Sequence, residues 1–253
     1  MKLLGRVLLA AAALPLLASA GLITTVYDAG LGTLPEAQGF TAAMASANNA
    51  HVTSGVLDVD GYGPGVNNSP GYYLGQNGTF LFSSFVMESR LRIVESNQNS
   101  GPGGGGYPRG GFILEAVDNN GLTVDVQFST GGLWMQTSDG VAFNPASTGF
   151  LSLDTSIFHT YRFQADGTSA SLYIDGAASP SLSMSIGSLQ VSGGSTSSVL
   201  FGDASLLTRA HYQTEYFLYS SNLDASMAPE PGTLGLLSLA MAGLVVRRYR
   251  RAR

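Results

Sequence analysis

The sequence has no cysteine. Neither disulfides nor thiolate metal sites are available, so the fold must rest on an apolar core. Lysine occurs only at position 2. Between Gly21 and Ala228 the cations are five arginines: Arg90, Arg92, Arg109, Arg162 and Arg209. They face 16 acidic residues, a formal charge of −11 over that stretch. This balance excludes nucleic acid and anionic lipid as partners, because both need clustered cations. Neutral polysaccharide and divalent cations remain compatible. No apolar run reaches the roughly 20 residues of a membrane-spanning helix. Familiar catalytic motifs are missing as well. His51, His159 and His211 lack an H-E-x-x-H spacing, and each reads as a surface or loop histidine. There is no G-x-S-x-G elbow, so the many serines read as strand and loop surface. The glycine run from Gly101 to Gly106 is not followed by Lys-Ser/Thr, and the stretch from Gly101 to Gly111 reads as a flexible loop.

The two ends are distinctive. Lys2 and Arg6 precede an apolar core from Val7 to Leu17, and Ala18-Ser19-Ala20 forms an A-x-A cleavage site. Residues 1–20 therefore read as a secretory signal peptide cut before Gly21. A retained N-terminal anchor is the competing reading, against which stand the short run and Pro15. At the other end, Pro229-Glu230-Pro231-Gly232 precedes an apolar run from Thr233 to Val246 and the cluster Arg247-Arg248-Tyr249-Arg250-Arg251. As a helix the run spans about 22 Å, short of the roughly 30 Å hydrocarbon core. Gly235 and Gly243 weaken it further. The arginines would stay cytoplasmic, leaving the two prolines and Glu230 outside in an extended backbone. An ordinary C-terminal anchor is the alternative. These three parts, in this order, resemble the PEP-CTERM sorting signal of Gram-negative bacteria over residues 229–253. The resemblance implies export by the secretion machinery and transient inner-membrane insertion. It further implies recognition of Pro229, Glu230 and Pro231, backed by Arg247 and Arg248, by an exosortase-type enzyme. Delivery to the cell surface or the exopolysaccharide matrix would follow.

Between the ends, period-two alternation dominates. In Leu122 to Phe128 every even position is apolar and every odd one polar, the mark of a half-buried strand. Asp118-Asn119-Asn120-Gly121 is a turn, preceded by a strand over Phe112 to Val117. Phe85, Met87, Leu91 and Ile93 share one face of another strand, with Glu88, Arg90 and Arg92 opposite. Phe158 to Ala165 and Ala170 to Gly176 flank Asp166-Gly167 as a hairpin, and further strands fall at Val199 to Gly202 and Glu215 to Tyr219. Thr41 to Ala50 fits a short helix or a loop. Short strands with glycine-rich turns indicate an all-β, two-sheet antiparallel sandwich over residues 21–226. The hairpin HTYRFQADGTSASLYIDG, the later VLFGDAS and the opening YDAGLGTLPEAQGF resemble concanavalin A-like and laminin-G-like domains. That resemblance implies a jelly roll with carbohydrate or protein ligands and sometimes calcium.

Laminarinase-type glycoside hydrolases share such a fold and carry an E-x-D-x-x-E signature, which places acid and nucleophile about 5–5.5 Å apart in retaining enzymes. The signature is absent. Glu115 and Asp118 run into a turn, and Glu115 with Asp125 across the hairpin could converge or simply be solvated. The expectation is accordingly a protein without enzymatic activity, binding polysaccharide or serving a structural role in the matrix. A glycoside hydrolase or lyase with an unrecognised site and a protein-binding adhesion module are the alternatives. Trp134, the only tryptophan, alternates with Leu133 and Met135 and is in phase with Gln136. That phase suits a sugar-stacking platform on an open sheet face; the alternative puts Trp134 in the core. Tyr107 in the glycine-rich stretch and Tyr72-Tyr73 are further stacking candidates. For calcium, the resemblance offers Asp203, which also reads as a plain turn aspartate.

Overall fold

The computed structural model describes residues 25–43, 49–62, 72–76, 82–97, 99–103, 107–138, 148–186, 197–203 and 208–221. Both terminal signals lie outside them. The described residues fall within one unit, Ile23–Asn222.

Two long strands organise the first sheet. β6 (Phe85–Asn97) and β17 (Arg209–Ser221) pair antiparallel along almost their whole length. The sheet is completed by β1 (Thr25–Asp28), β3 (Ala50–Thr53), β4 (Val56–Asp60), β13 (His159–Ala165), β14 (Ser169–Ile174) and β15 (Leu182–Ser185). Its order is β15-β14-β13-β6-β17-β4-β3, with β1 also pairing β17. The second sheet runs β12-β11-β10-β9-β16-β5-β2. Its strands are β2 (Thr41–Ala43), β5 (Tyr72–Gln76), β9 (Phe112–Val117), β10 (Thr123–Ser129), β11 (Gly132–Ser138), β12 (Leu151–Ser152) and β16 (Ser198–Gly202). A small ribbon joins β7 (Asn99–Gly103) to β8 (Tyr107–Arg109). The expected all-β sandwich of two antiparallel sheets is what forms.

Alternation in β6 explains the packing. Phe85, Met87, Leu91 and Ile93 are buried in the core, while Glu88, Arg90 and Arg92 project outward. Arg90 and Arg92 lie over the ring of Phe158. The core joins the sheets through aromatic pairs: Phe201 with Phe217 at 4.8 Å, Phe112 with Tyr212 at 4.6 Å and Phe128 with Tyr161 at 4.9 Å between ring centroids. Such pairs add about 0.5–1.5 kcal/mol each beyond their burial. Ser89 is the polar exception on the core side of β6. The ladder slips between Thr214 and Tyr216, and Ser89 Oγ donates to the Tyr216 carbonyl at 2.7 Å. The extra residue, Glu215, instead meets Arg90 Nε at 2.9 Å. A bulge that disturbs the ladder is thus satisfied on both faces.

Three local expectations are corrected. Thr41 to Ala50 is not helical where it is described: Thr41–Ala43 is an edge strand paired with β5, and Ala50 begins β3. Pairing with a partner thirty residues away overrides weak local preferences there. The glycine-rich stretch is not all loop, because Asn99–Gly103 and Tyr107–Arg109 pair. His159 is no surface histidine. It is 9% exposed, with Nδ1 at 2.6 Å from Asp175 Oδ2 and Nε2 at 3.2 Å from the Asp154 carbonyl. These contacts tie the β13–β14 hairpin to the preceding turn. His51 and His211 are on strands, both near the Asp58 carboxylate.

The turn of that hairpin is built by Asp166. Its Oδ1 accepts from the amides of Thr168 and Ser169 at 2.9 and 2.8 Å, and Gly167 takes φ +90°. Those amide hydrogen bonds, with help from the Thr168 and Ser169 hydroxyls, hold the Asp166 carboxyl well below the usual carboxylate range. A depressed folded-state value stabilises above the unfolded value of about 3.9 and is lost as pH falls through the folded value. Asp166→Ala should therefore lower the urea midpoint relative to wild type above about pH 4. The gap should close on further acidification, which parallel denaturation curves across pH will check.

Candidate functional site

β9, β10 and β11 lie side by side at the middle of the second sheet. Their core-facing residues are Phe112, Leu114 and Ala116; Val124, Val126 and Phe128; and Leu133 and Met135. The pleat sends the intervening residues to the other face. Register there sets Glu115 opposite Asp125 and Asp125 opposite Gln136, with Gln127 opposite Trp134 in the next row.

That outer face holds a buried polar network. Gly110 N–H donates to Gln127 Oε1 at 3.0 Å, and Gln127 Nε2 donates to Asp125 Oδ2 at 3.2 Å. From the other side, Trp134 Nε1 donates to Gln136 Oε1 at 3.3 Å, and Gln136 Nε2 donates to the same Asp125 Oδ2 at 3.2 Å. Two donor relays thus converge on one carboxylate oxygen. Asp125 is only 3% exposed. Burying a carboxylate without such partners would be prohibitively unfavourable, so the network is a condition of its position. Gly110 is part of it: a Cβ there would sit 2.4 Å from the Phe128 carbonyl oxygen, and only glycine lets the amide approach. Glu115, half-buried, occupies the neighbouring strand beside Asp125.

The arrangement offers two carboxylates on adjacent strands, amide donors fixing one of them, and an indole in the same layer. Asp118 is not part of it. Its Oδ1 accepts from the amides of Asn120 and Leu122 in the turn before β10.

The expected phase of Trp134 with Gln136 is met, and the two side chains touch. The expected open face is not: Trp134 is 4% exposed, and Gln136 is buried beside it. The core alternative fails as well, since Leu133 and Met135 are the core residues of β11. Tyr107 lies on β8 in the ribbon, not in this sheet, and Tyr72-Tyr73 open β5. Asp203 is buried and accepts from Ala210 N–H at 3.2 Å, which gives it a structural role after β16. Among the described residues no group of three or more His, Asp or Glu side chains is arranged to hold a metal ion. Gln127 went unnoticed in the sequence. Its signal was the alternation of β10, which placed it in phase with Asp125. The carboxylate pair was noticed, but its burial was not.

Residues 228–251 match the PEP-CTERM protein-sorting motif. The motif implies export, sorting to the cell surface or membrane, and processing by an exosortase. No helix among the described residues is long and apolar enough to cross a membrane. No curated protein matches the chain. Solved structures of similar fold include a glycosyl hydrolase family 16 protein from Mycobacterium smegmatis, with TM-score 0.55, 12% identity and coverage of 78% of this chain and 100% of that one. A β-1,3-glucanase from Mycobacterium marinum aligns with TM-score 0.55 and 14% identity over 80% of this chain and 100% of its own. A laminarinase from a Flavobacterium species aligns with TM-score 0.55 and 8% identity over 79% and 100%. At such identities the likeness establishes the jelly-roll sandwich. It also corrects the expectation of a protein without enzymatic activity, because these neighbours of the same fold are named as a glycosyl hydrolase, a glucanase and a laminarinase.

Proposed function

We propose that this chain is an exported, surface-sorted, carbohydrate-active protein of glycoside hydrolase type, and that its site is the outer face of the β9-β10-β11 region. In this reading residues 1–20 direct export and are removed. The segment 229–253, recognised through Pro229, Glu230 and Pro231, delivers the domain to the cell surface or exopolysaccharide matrix. The observation that carries the reading is the buried Asp125 carboxylate, held by two converging amides beside Glu115.

Glu115 and Asp125 sit directly opposite on strands about 4.8 Å apart. A close pair on one face is expected to act with retention, for which the carboxyl groups stand about 5–5.5 Å apart, against about 6.5–9.5 Å in inverting enzymes. Asp125, fixed by Gln127 and Gln136, is the candidate nucleophile or charge stabiliser. Glu115, less enclosed, is the candidate acid that protonates the leaving oxygen and then activates water. Trp134 and Gln136 orient the sugar indirectly, through the position they give Asp125. The test is incubation of the purified chain with a panel of neutral and acidic polysaccharides, starting from β-1,3-glucan. Reducing ends should appear, and NMR should show the anomeric configuration retained. Binding to a polymer without bond cleavage anywhere in the panel would overturn the hydrolase assignment.

A further inference from the structure

Phe150 is an exposed aromatic residue at the border of a largely shielded face. It is 54% exposed. β12 pairs with β11 through Gly132↔Ser152 and Leu133↔Leu151. Leu151 packs against the core, so Phe150 and Ser152 belong to the same outer face as Trp134. Glycine at 132 makes room for the ring. A Cβ there would lie 2.6 Å from Phe150 Cζ and 2.2 Å from the Leu151 carbonyl oxygen. The phenyl ring instead rests beside the indole, with centroids 6.0 Å apart and planes inclined at 39°. An apolar ring steadied from behind and open in front suits the C–H face of a sugar.

Position along the strand adds a length requirement. From Gly132 to Gln136 is four residues, about 14 Å at roughly 3.4 Å per residue. Gln136, Asp125 and Glu115 share one row, so a ligand touching both that row and Phe150 must extend over several sugar units. The charge on the face adds a further restriction. Glu115 and Asp125 are its charged groups among the described residues, and the stretch from Gly21 to Ala228 has formal charge −11. A polymer rich in carboxylate or sulfate would be repelled.

We propose that Phe150, seated against Trp134, is a remote stacking subsite that holds an extended, uncharged polysaccharide chain several units away from the Glu115–Asp125 pair. The proposal rests on the reading of that pair as the reactive centre.

A ladder of neutral gluco-oligosaccharides, from disaccharide to polymer, tests it. With the wild-type chain, KM should fall as length increases and then level off. Phe150→Ala should raise KM for the polymer about tenfold, leave kcat unchanged and leave the shortest cleavable substrate unaffected. Phe150→Tyr should restore the length dependence. An unaltered length dependence in Phe150→Ala overturns the subsite, as does wild-type preference for an acidic polymer. If the wild type cleaves nothing, the hydrolase assignment fails separately. The same ladder read by calorimetric binding then decides the subsite: a length-dependent affinity lost in Phe150→Ala supports it, and affinity indifferent to Phe150 sinks it.

Discussion

Phe201→Ala should remove about 3–5 kcal/mol of stability. Phe201 is fully buried at the midpoint of an aromatic cluster that spans the two sheets. It stacks on Phe217 at 4.8 Å and on Tyr27 at 6.1 Å, and meets the edge of Phe40 at 5.7 Å. Truncation leaves a cavity on the second sheet's side of the core, bounded by rings that belong to β1 and β17 of the first sheet and to the loop before β2. Those strands are held by their own ladders and cannot collapse into the space, so the cavity term is retained. Domains of this kind are stable by about 5–15 kcal/mol, and the variant should stand near the limit of folding. Urea denaturation should show a lower midpoint at unchanged slope, and thermal denaturation a fall of about 6–20 °C. Phe201→Leu fills most of the volume and should lose distinctly less. A variant as stable as wild type would mean that this cluster does not join the sheets.

The sandwich was legible because the strands that build it are the ones whose alternation is cleanest. Phe85 to Ile93, Leu122 to Phe128 and the hairpin around Asp166-Gly167 all fold at the expected positions. Each needs only its own side-chain periodicity and a turn signal to be recognised. The β2 segment was not legible, because Thr41-Ala42-Ala43 has no pattern of its own and becomes a strand only through β5. The site was half legible. Phase alone placed Asp125 and Gln127 away from the core and put Trp134 in step with Gln136 while leaving open which face of β11 was the core one, and pairing across a short turn placed Glu115 beside Asp125. Burial of that second face could not be read the same way. Polar residues at alternate positions signal water in a half-buried strand, and the same pattern serves a buried network whose donors come from Gly110 and a neighbouring strand. Phe150 was invisible for a related reason: only Gly132, opposite Ser152 on the neighbouring strand, makes room for the ring and turns a loop phenylalanine into a shelf.

Glu115→Gln should lower kcat/KM on polysaccharide by about 10²–10⁴, the usual contribution of a positioned acid–base group. The substitution keeps the length and shape of the side chain while removing its transferable proton and its charge. Glu115 is half-buried and stands outside the two relays that fix Asp125. The thermal midpoint and polymer affinity should therefore stay close to wild type. Asp125→Asn should abolish activity too, but with a second signature. The Asn carbonyl can take the place of Oδ2, but a neutral oxygen accepts from Gln127 and Gln136 less strongly than a carboxylate, and the Asn N–H₂ then replaces the acceptor Oδ1 in a buried layer. An unmatched buried polar group costs about 1–3 kcal/mol, and the midpoint should fall along with the rate. The contrast separates roles: a loss of rate alone at Glu115 and a loss of rate and stability together at Asp125. If Glu115→Gln cleaves at the wild-type rate, the pair is not the reactive centre, and the convergence on Asp125 Oδ2 is a device for folding only.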